Sequence, residues 1–127
     1  MPGKHLYEYA VIRFVPKVER EEFLNTGIIL FCKRPAFLGV RMLLDMDRLL
    51  RFSPDTDIEA LHCHLAAFEK IALGTADSGP IGRLDHASRF RWLTATRSTI
   101  IQPSKVHVGY SDNLEETLEK LFRTLVC

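Results

Sequence analysis

The stretch LYEYAVIRFV at residues 6–15 opens the part of the chain, Tyr7 to Leu44, around which the fold is organised. Aromatic and β-branched side chains dominate this stretch, which is typical of a β-strand. Both of its alternating faces are mostly apolar, so we expect the strand to lie inside a sheet rather than at its edge. Pro16 ends the strand, because a proline nitrogen has no hydrogen to donate to a neighbouring strand.

Two further strands are predicted at residues 26–33 and 37–44. Arg34-Pro35-Ala36 separates them, and proline presets the backbone for a tight turn, so the two strands should form a hairpin. Gly39 lies inside the second of these strands, which indicates a bulge or a close backbone contact.

Helices are predicted after this hairpin. Asp45 should cap a short helix that ends at Phe52. A four-turn amphipathic helix should follow and end at Gly74, because apolar residues recur at spacings of three and four. Its apolar stripe consists of Ile58, Leu61, Leu65, Phe68 and Ala72. Residues 75–82 contain several helix breakers and are interpreted as a mobile surface loop.

The remaining chain predicts a short helix at residues 85–94, strands at 98–102 and 106–110, and a final helix capped by Ser111 or Asp112. The apolar stripe of that helix consists of Leu114, Leu118, Leu121 and Leu125. Strands are thus followed by helices, two strands and a helix. We therefore expect one α+β domain over residues 1–127, with a mainly antiparallel sheet of about five strands, two longer helices and one or two short ones.

Composition indicates a soluble cytoplasmic protein. Hydrophobic residues make up 46% of the chain and charged residues 26%, and no apolar run approaches the roughly 20 residues of a membrane helix. No secretory signal is recognised, and three widely spaced cysteines argue against a disulfide framework. We expect Cys32 and Cys63 to be buried small hydrophobes and Cys127 to be exposed.

The net charge of +1 argues against a polyanion-binding protein, but the charges are segregated along the chain. The segment 83–105 is basic, with Phe90 and Trp92 among its arginines. Arginines bind phosphate and aromatic rings stack on bases, so this segment is a candidate for a phosphate-bearing ligand or a nucleic acid. The alternative is that an aromatic ring belongs to the core and the arginines pair with the acidic segment 53–82.

A second candidate is the polar set around residues 97–107, which includes Arg97, Ser98, Thr99, Gln102, Ser104 and His107. Hydroxyl, amide, guanidinium and imidazole groups on adjoining strands are able to line a polar pocket. Alternation along a strand prevents all of them from converging, however. The alternative is turn chemistry combined with cross-strand pairing.

Arg13 is the third candidate, since a charge within an apolar strand needs a partner. Glu21, Glu22 or Asp45 is expected to supply it in a structural ion pair. The predicted ligand-binding residues are Arg13, Arg91, Arg97, Gln102 and His107. The sequence predicts no catalytic set, no metal site and no cofactor. In a helix, the side chains of His62 and His64 point apart, and no nucleophile or phosphate-loop motif is present.

Several short motifs, in their order, resemble the bacterial domain-of-unknown-function family 3037. They are YEYAVIRFVP at residues 7–16, EREEFLNTGIIL at 19–30, RWL at 91–93 and RSTIIQPS at 97–104, followed by the helix near Asp112. The resemblance implies a small bacterial cytoplasmic protein without an assigned active site. It also implies a HipA-like kinase as partner, because such a kinase is often encoded beside family members.

Three functions follow from these observations. The leading hypothesis is a non-enzymatic accessory or interaction protein. The first alternative is a small enzyme or binding domain for an anionic, phosphate-bearing ligand, with Arg91 and Arg97 holding the anion and His107 acting as acid or base. The second alternative is a nucleic-acid-binding module, against which the low net charge argues. No membrane partner is expected, and a homo-oligomer remains open.

Overall fold

A computed structural model describes residues 4–97 and 99–127. Its strands are β1 (His5–Phe14), β2 (Leu24–Cys32), β3 (Phe37–Met42), β4 (Ile101–Pro103) and β5 (His107–Ser111). They form one antiparallel sheet in the order β3-β2-β1-β4, with β5 also pairing with β1. β1 is therefore an interior strand, as its two apolar faces predict.

The helices are α1 (Met46–Phe52), α2 (Ile58–Leu73), α3 (Gly79–Gly82), α4 (His86–Leu93) and α5 (Leu114–Leu125). A 3-10 turn at Val18–Arg20 joins β1 to β2. The combination of this sheet with two long helices and shorter ones confirms the predicted α+β fold class.

Side chains cap four of these helices. Asp45, Asp57 and Asp85 accept hydrogen bonds from backbone N–H groups in the first turns of α1, α2 and α4. Such a cap is typically worth about 1 kcal/mol. Asn113 caps α5 in the same way, so the prediction of Ser111 or Asp112 was wrong. The Ser111 hydroxyl instead accepts a hydrogen bond from the Asn113 N–H.

The segment 75–82 differs from its prediction as a mobile loop. It contains α3, and the Ser78 hydroxyl donates to the Thr75 carbonyl over 2.6 Å. The Thr75 hydroxyl in turn donates to Asp77, whose carboxylate also pairs with Lys70 at 2.8 Å. The predicted strand at 98–102 begins later, at Ile101, and Ser98 lies outside the described residues.

One face of the sheet, called here the α2–α4 face, is covered by the helices α2 and α4. The β-strands contribute Ala10, Ile12, Phe14, Ile29 and Phe31, and the helices contribute Leu61, Leu65, Phe68, Phe90 and Leu93. These helix residues include most of the predicted stripe of α2. Burial of each large side chain contributes roughly 1.5–3 kcal/mol, so this layer dominates the stability of the fold.

The opposite face, called here the α5 face, is covered by α5. The buried strand residues are Val11, Ile28, Leu30 and Cys32, which pack against Leu114, Leu118, Phe122 and Val126. α5 lies over β2 and β3. Gly39 on β3 permits this approach, because a Cβ atom there would lie 2.8 Å from Cδ2 of Leu118. The close contact predicted for Gly39 is thus confirmed.

The cysteines follow the sequence prediction in two of three positions. Cys32 is buried and Cys127 is exposed, as expected. Cys63 is exposed, because it lies on the outer side of α2 between the buried positions Leu61 and Leu65. Its prediction as a buried hydrophobe was therefore wrong.

Candidate functional site

The α2–α4 face is not covered along its whole length. A single row of cross-strand neighbours runs across it, from Val108 on β5 through Glu8 on β1 to Phe31 on β2. In the next row outward, Tyr110 lies opposite Leu6. Phe31 is buried because its ring stacks on Phe90 of α4 at 5.3 Å. The rest of these two rows lies beyond the helices.

Three large apolar side chains are exposed on this part of the sheet. Leu6 is 54% exposed, Val108 67% and Tyr110 65%. They remain exposed because α2 packs on β3 and β4, and α4 packs on β2 and β3, which leaves the corner formed by β5 and the start of β1 open. Adjoining exposed apolar side chains of this kind mark interaction sites.

An open cavity of about 540 Å³ lies on the side of β2, at the Phe31 end of the row that runs through Glu8 to Val108. Its lining consists of Phe31, Cys32, Lys33, Ala36, Leu84, Asp85, His86, Ala87 and Arg89. Leu84, just before α4, adds a further exposed apolar side chain to the wall. Leu6, Leu84, Val108 and Tyr110 are together called the open sheet end.

Basic side chains surround the open sheet end. Lys4 precedes β1, while Lys33 and Arg34 follow β2, and antiparallel pairing places these termini at the same end of the sheet. All three are exposed. Asp85 lies beside them as a carboxylate, since the hydrogen bond that it accepts from the backbone N–H of Ser88 lowers its pKa. Three basic side chains against this one carboxylate leave the rim net basic, which favours negatively charged groups.

Two of the predicted ligand-binding residues lie together on the other sheet face. Arg13 and Gln102 are direct cross-strand partners on β1 and β4, and Asn25 is the partner of Arg13 on β2. The three side chains form a polar row beyond the C-terminal end of α5, where the Asn25 amide donates to the Leu125 carbonyl over 3.0 Å.

Arg13 lacks the acidic partner that was predicted for it. Among residues 4–97 and 99–127, no carboxylate forms an ion pair with its guanidinium, and Glu22 pairs with Arg20 instead. The guanidinium lies over the Phe23 ring at 4.0 Å, which is a cation–π contact. Its Nε atom and the Oδ1 atom of Asn25 are both buried and have no hydrogen-bond partner among the residues that the structure describes.

His107 lies further along the same sheet face, opposite Tyr9 on β1. The two rings are 5.2 Å apart. Arg13, Gln102 and His107 therefore share a face, although His107 lies at a more exposed position than the other two. This placement is the part of the predicted site that the strands bring together.

Arg91 and Arg97 lie apart from this face. Arg91 is exposed on α4. Arg97 follows α4, where it donates hydrogen bonds to the carbonyls of Trp92 and Ala95 and lies 4.8 Å from the Trp92 ring centre. Burial lowers the pKa of Arg97. Its contacts are those of a residue that ends a helix, and the predicted five-residue set does not form one site.

Arg89 is a buried charge that sequence reasoning missed. It is 7% exposed, and its Nη1 atom is 3.5 Å from the Ile71 carbonyl at the C-terminal end of α2, where the helix dipole favours a cation. Gly74 leaves room for it, because a side chain there would overlap the guanidinium. The signal in the sequence was its spacing of four from Leu93, which places both on the inner side of α4.

No metal centre is found in the described part of the chain. Neither His62, Cys63 nor His64 belongs to a group of three potential ligands. Among the same residues, none of the helices combines the length and apolar character that a membrane crossing requires.

Comparison with known families identifies a match over most of the chain. Residues 9–126 match the family described as "Protein of unknown function (DUF3037)". Comparisons with curated proteins and with solved structures find no match. The family match covers nearly the whole chain and includes both helix-covered faces and the β5 strand. The chain therefore belongs to the DUF3037 family.

Proposed function

We propose that this protein is a non-enzymatic interaction protein and that the open sheet end binds its partner. The observation that carries the proposal is the exposure of Leu6, Val108 and Tyr110, side by side on a sheet face whose other rows are covered by helices. Leaving such side chains in water forgoes roughly 1.5–3 kcal/mol each, which a partner recovers on binding.

The chemistry of the surface defines the partner segment that would fit. A floor that is apolar apart from Glu8, with Lys4, Lys33 and Arg34 at its rim, is complementary to an apolar segment flanked by carboxylates. We propose that a HipA-like kinase supplies this segment, on the basis of the gene arrangement that the family resemblance implies. The kinase would then be bound by contact, without chemistry on either chain.

Co-expression with a HipA-like kinase, the proposed partner, followed by pull-down tests this proposal. Leu6→Asp and Leu84→Asp should each reduce recovery of the kinase at least roughly tenfold, because each buries a carboxylate beneath the partner. Leu73→Asp is the matched control, since Leu73 is 57% exposed on α2 and is not among the residues that line the cavity. Isolation of the chain without the kinase, or equal losses in all three variants, would contradict the proposal.

A second candidate function is binding of an anionic, phosphate-bearing ligand on the α5 face. The observation that favours it is the half-buried guanidinium of Arg13, which has no acidic partner among the described residues and lies in one row with Gln102. Phe23, which is 44% exposed beside it, offers a ring for stacking.

A thermal-shift screen with nucleotides and phosphosugars at millimolar concentration tests this second function. A ligand at a hundred times its dissociation constant stabilises the fold by about 2.7 kcal/mol, which is readily measured. Arg13→Met should abolish the shift, whereas Arg91→Met, at an exposed site on α4, should retain it. Absence of stabilisation by every compound would exclude this function.

A further inference from the structure

We propose that two copies of this chain pair through their β5 strands, antiparallel and about a two-fold axis, so that the sheet of one copy continues into the other. The inference concerns the backbone edge of the sheet. It does not depend on the kinase, although it shares Val108 and Tyr110 with the open sheet end, because pairing also uses the outward hydrogen-bonding groups of the β5 backbone.

β5 offers a free edge. It pairs with β1 on one side, and it pairs with no second strand within residues 4–97 and 99–127. Proteins usually block such an edge with charged residues, with proline or with a covering element. The β5 sequence HVGYS contains neither a proline nor an acidic, lysine or arginine residue. The backbone N–H and C=O groups on its outer side are therefore available to another strand.

The other edge of the sheet is protected, and the contrast is informative. β3 carries Arg41, which pairs with Glu119 of α5 at 3.2 Å. Both α2 and α5 pack on β3. β3 thus carries a charged side chain and is packed by helices on both of its faces, whereas β5 has no acidic, lysine or arginine side chain. Because charged side chains oppose edge pairing, β5 is the better candidate of the two edges for extension.

The side chains of β5 are arranged symmetrically around Gly109. Antiparallel pairing centred on this glycine places Val108 of each copy opposite Tyr110 of the other. These are aromatic and β-branched residues, whose cross-strand pairs stabilise a sheet. At the centre, the Tyr7 hydroxyl occupies the space over Gly109, since a Cβ atom there would lie 2.5 Å from it. Because of the two-fold symmetry, the contact between Val108 of one copy and Tyr110 of the other occurs twice in the dimer.

The charges beside β5 match the same pairing. Lys105 precedes the strand and Asp112 follows it, and both are exposed. Neither forms an ion pair within the described part of its own chain. Antiparallel pairing brings Lys105 of one copy close to Asp112 of the other, and the two-fold axis repeats this pair on the opposite side. Parallel pairing would place like charges together, so the charges favour the two-fold arrangement.

Sedimentation velocity over a range from low micromolar to about millimolar concentration tests this inference. A short edge with two large apolar side chains per copy forms a small interface, so the dimer should be weak and concentration-dependent. Val108→Lys should weaken it at least roughly tenfold, because lysine on an edge opposes pairing. Leu73→Lys is the control, since Leu73 is comparably exposed on α2.

A charge exchange tests the register. Lys105→Glu alone and Asp112→Lys alone should each weaken the dimer, because like charges then face each other twice. The variant that carries both substitutions should restore dimerisation to within about threefold of the original chain. Circular dichroism melting of each variant establishes that it is folded. A monomer at every concentration, a dimer insensitive to Val108→Lys, or a double variant as weak as the single ones would overturn the inference.

Discussion

Two regions of one sheet face differ in what covers them. Beneath α2 and α4, the strand residues Ala10, Ile12 and Phe14 are buried. A few residues earlier on the same strand and the same face, Leu6 is 54% exposed, and its neighbour Tyr110 on β5 is 65% exposed. Both regions carry large apolar side chains, although Glu8 lies within the exposed one, so apolar character alone does not separate them. The length and position of the helices decide which rows become core and which remain available to a partner.

The two regions should serve different purposes, with the covered rows stabilising the fold and the open sheet end binding a partner. Substitutions in the covered rows should change the free energy of unfolding, because they open or charge the core. Substitutions at the open sheet end should leave the folded chain almost unchanged and affect its association. The following predictions test this division, from the largest expected effect to the smallest.

Leu65→Asp should have the largest effect. Leu65 is buried in the layer between α2 and the sheet, and an aspartate there would be an unpaired buried charge. We expect a loss of at least about 4 kcal/mol in the free energy of unfolding, measured by urea denaturation. Leu73→Asp on the same helix should cost under about 0.5 kcal/mol. Equal losses in the two variants would contradict the assignment of the α2 stripe.

Gly74→Ala should cost about 1–3 kcal/mol. Gly74 has a φ of 65°, and a methyl group would also displace the buried Arg89 guanidinium. Gly79→Ala is a matched control, because Gly79 has a φ of 79° with nothing within 4 Å of the added Cβ atom. The difference in the free energy of unfolding between the two variants, from thermal or urea denaturation, measures how much the packing of Arg89 at the end of α2 stabilises the fold. Equal losses in the two variants would show that this packing contributes nothing.

Tyr110→Asp should lower the free energy of unfolding by no more than about 1 kcal/mol, because its side chain is mostly in water and only the lower strand propensity of aspartate opposes the fold. The same variant should recover much less of the proposed kinase partner in a pull-down, since the new carboxylate would face the acidic groups expected of that partner. Unfolding and capture are measured on one preparation. A strong loss of stability would show that Tyr110 belongs to the core of the single chain.

The smallest effect concerns acid pH. The hydrogen bonds from Lys70 and Thr75 lower the pKa of Asp77 from 3.8 to about 2. A depressed carboxyl pKa stabilises the fold above the unfolded value near pH 4 and loses this effect as pH falls toward 2. Lys70→Met should therefore flatten the pH dependence of the free energy of unfolding in that window, while its slope near pH 7 stays unchanged. An unchanged pH dependence of unfolding below pH 4 would show that the Lys70–Asp77 pair does not contribute to stability there.

The sequence predicted the covered half of the molecule well. Periodicity identified the α2 stripe from Leu61 to Ala72, and apolar character on both faces placed β1 in the interior. Such patterns are local and follow the period of the element, which is why they are visible in a single chain. Gly39 and Gly74 were also recognised, since a close contact and a positive φ both require glycine.

The open sheet end could not be predicted in the same way. Val106, Val108 and Tyr110 alternate as a buried strand would, and nothing local shows that no helix covers them. Arg13 was recognised as unusual, but the expected carboxylate was replaced by the Phe23 ring, which is brought near it by the β1–β2 pairing. Whether a helix covers a given row of strand residues depends on the tertiary arrangement. The spacing of apolar residues within one strand does not reveal that arrangement.

Amide hydrogen exchange tests the central claim most directly. Exchange is measured for the chain alone and for the chain bound to the co-expressed kinase, at the same chain concentration. We predict added protection in residues 4–9 and 105–112, with the outer side of α2 unchanged. Protection confined to α2 or α5, or no change at β5 in a complex that is demonstrably formed, would contradict the assignment of the open sheet end as the binding surface.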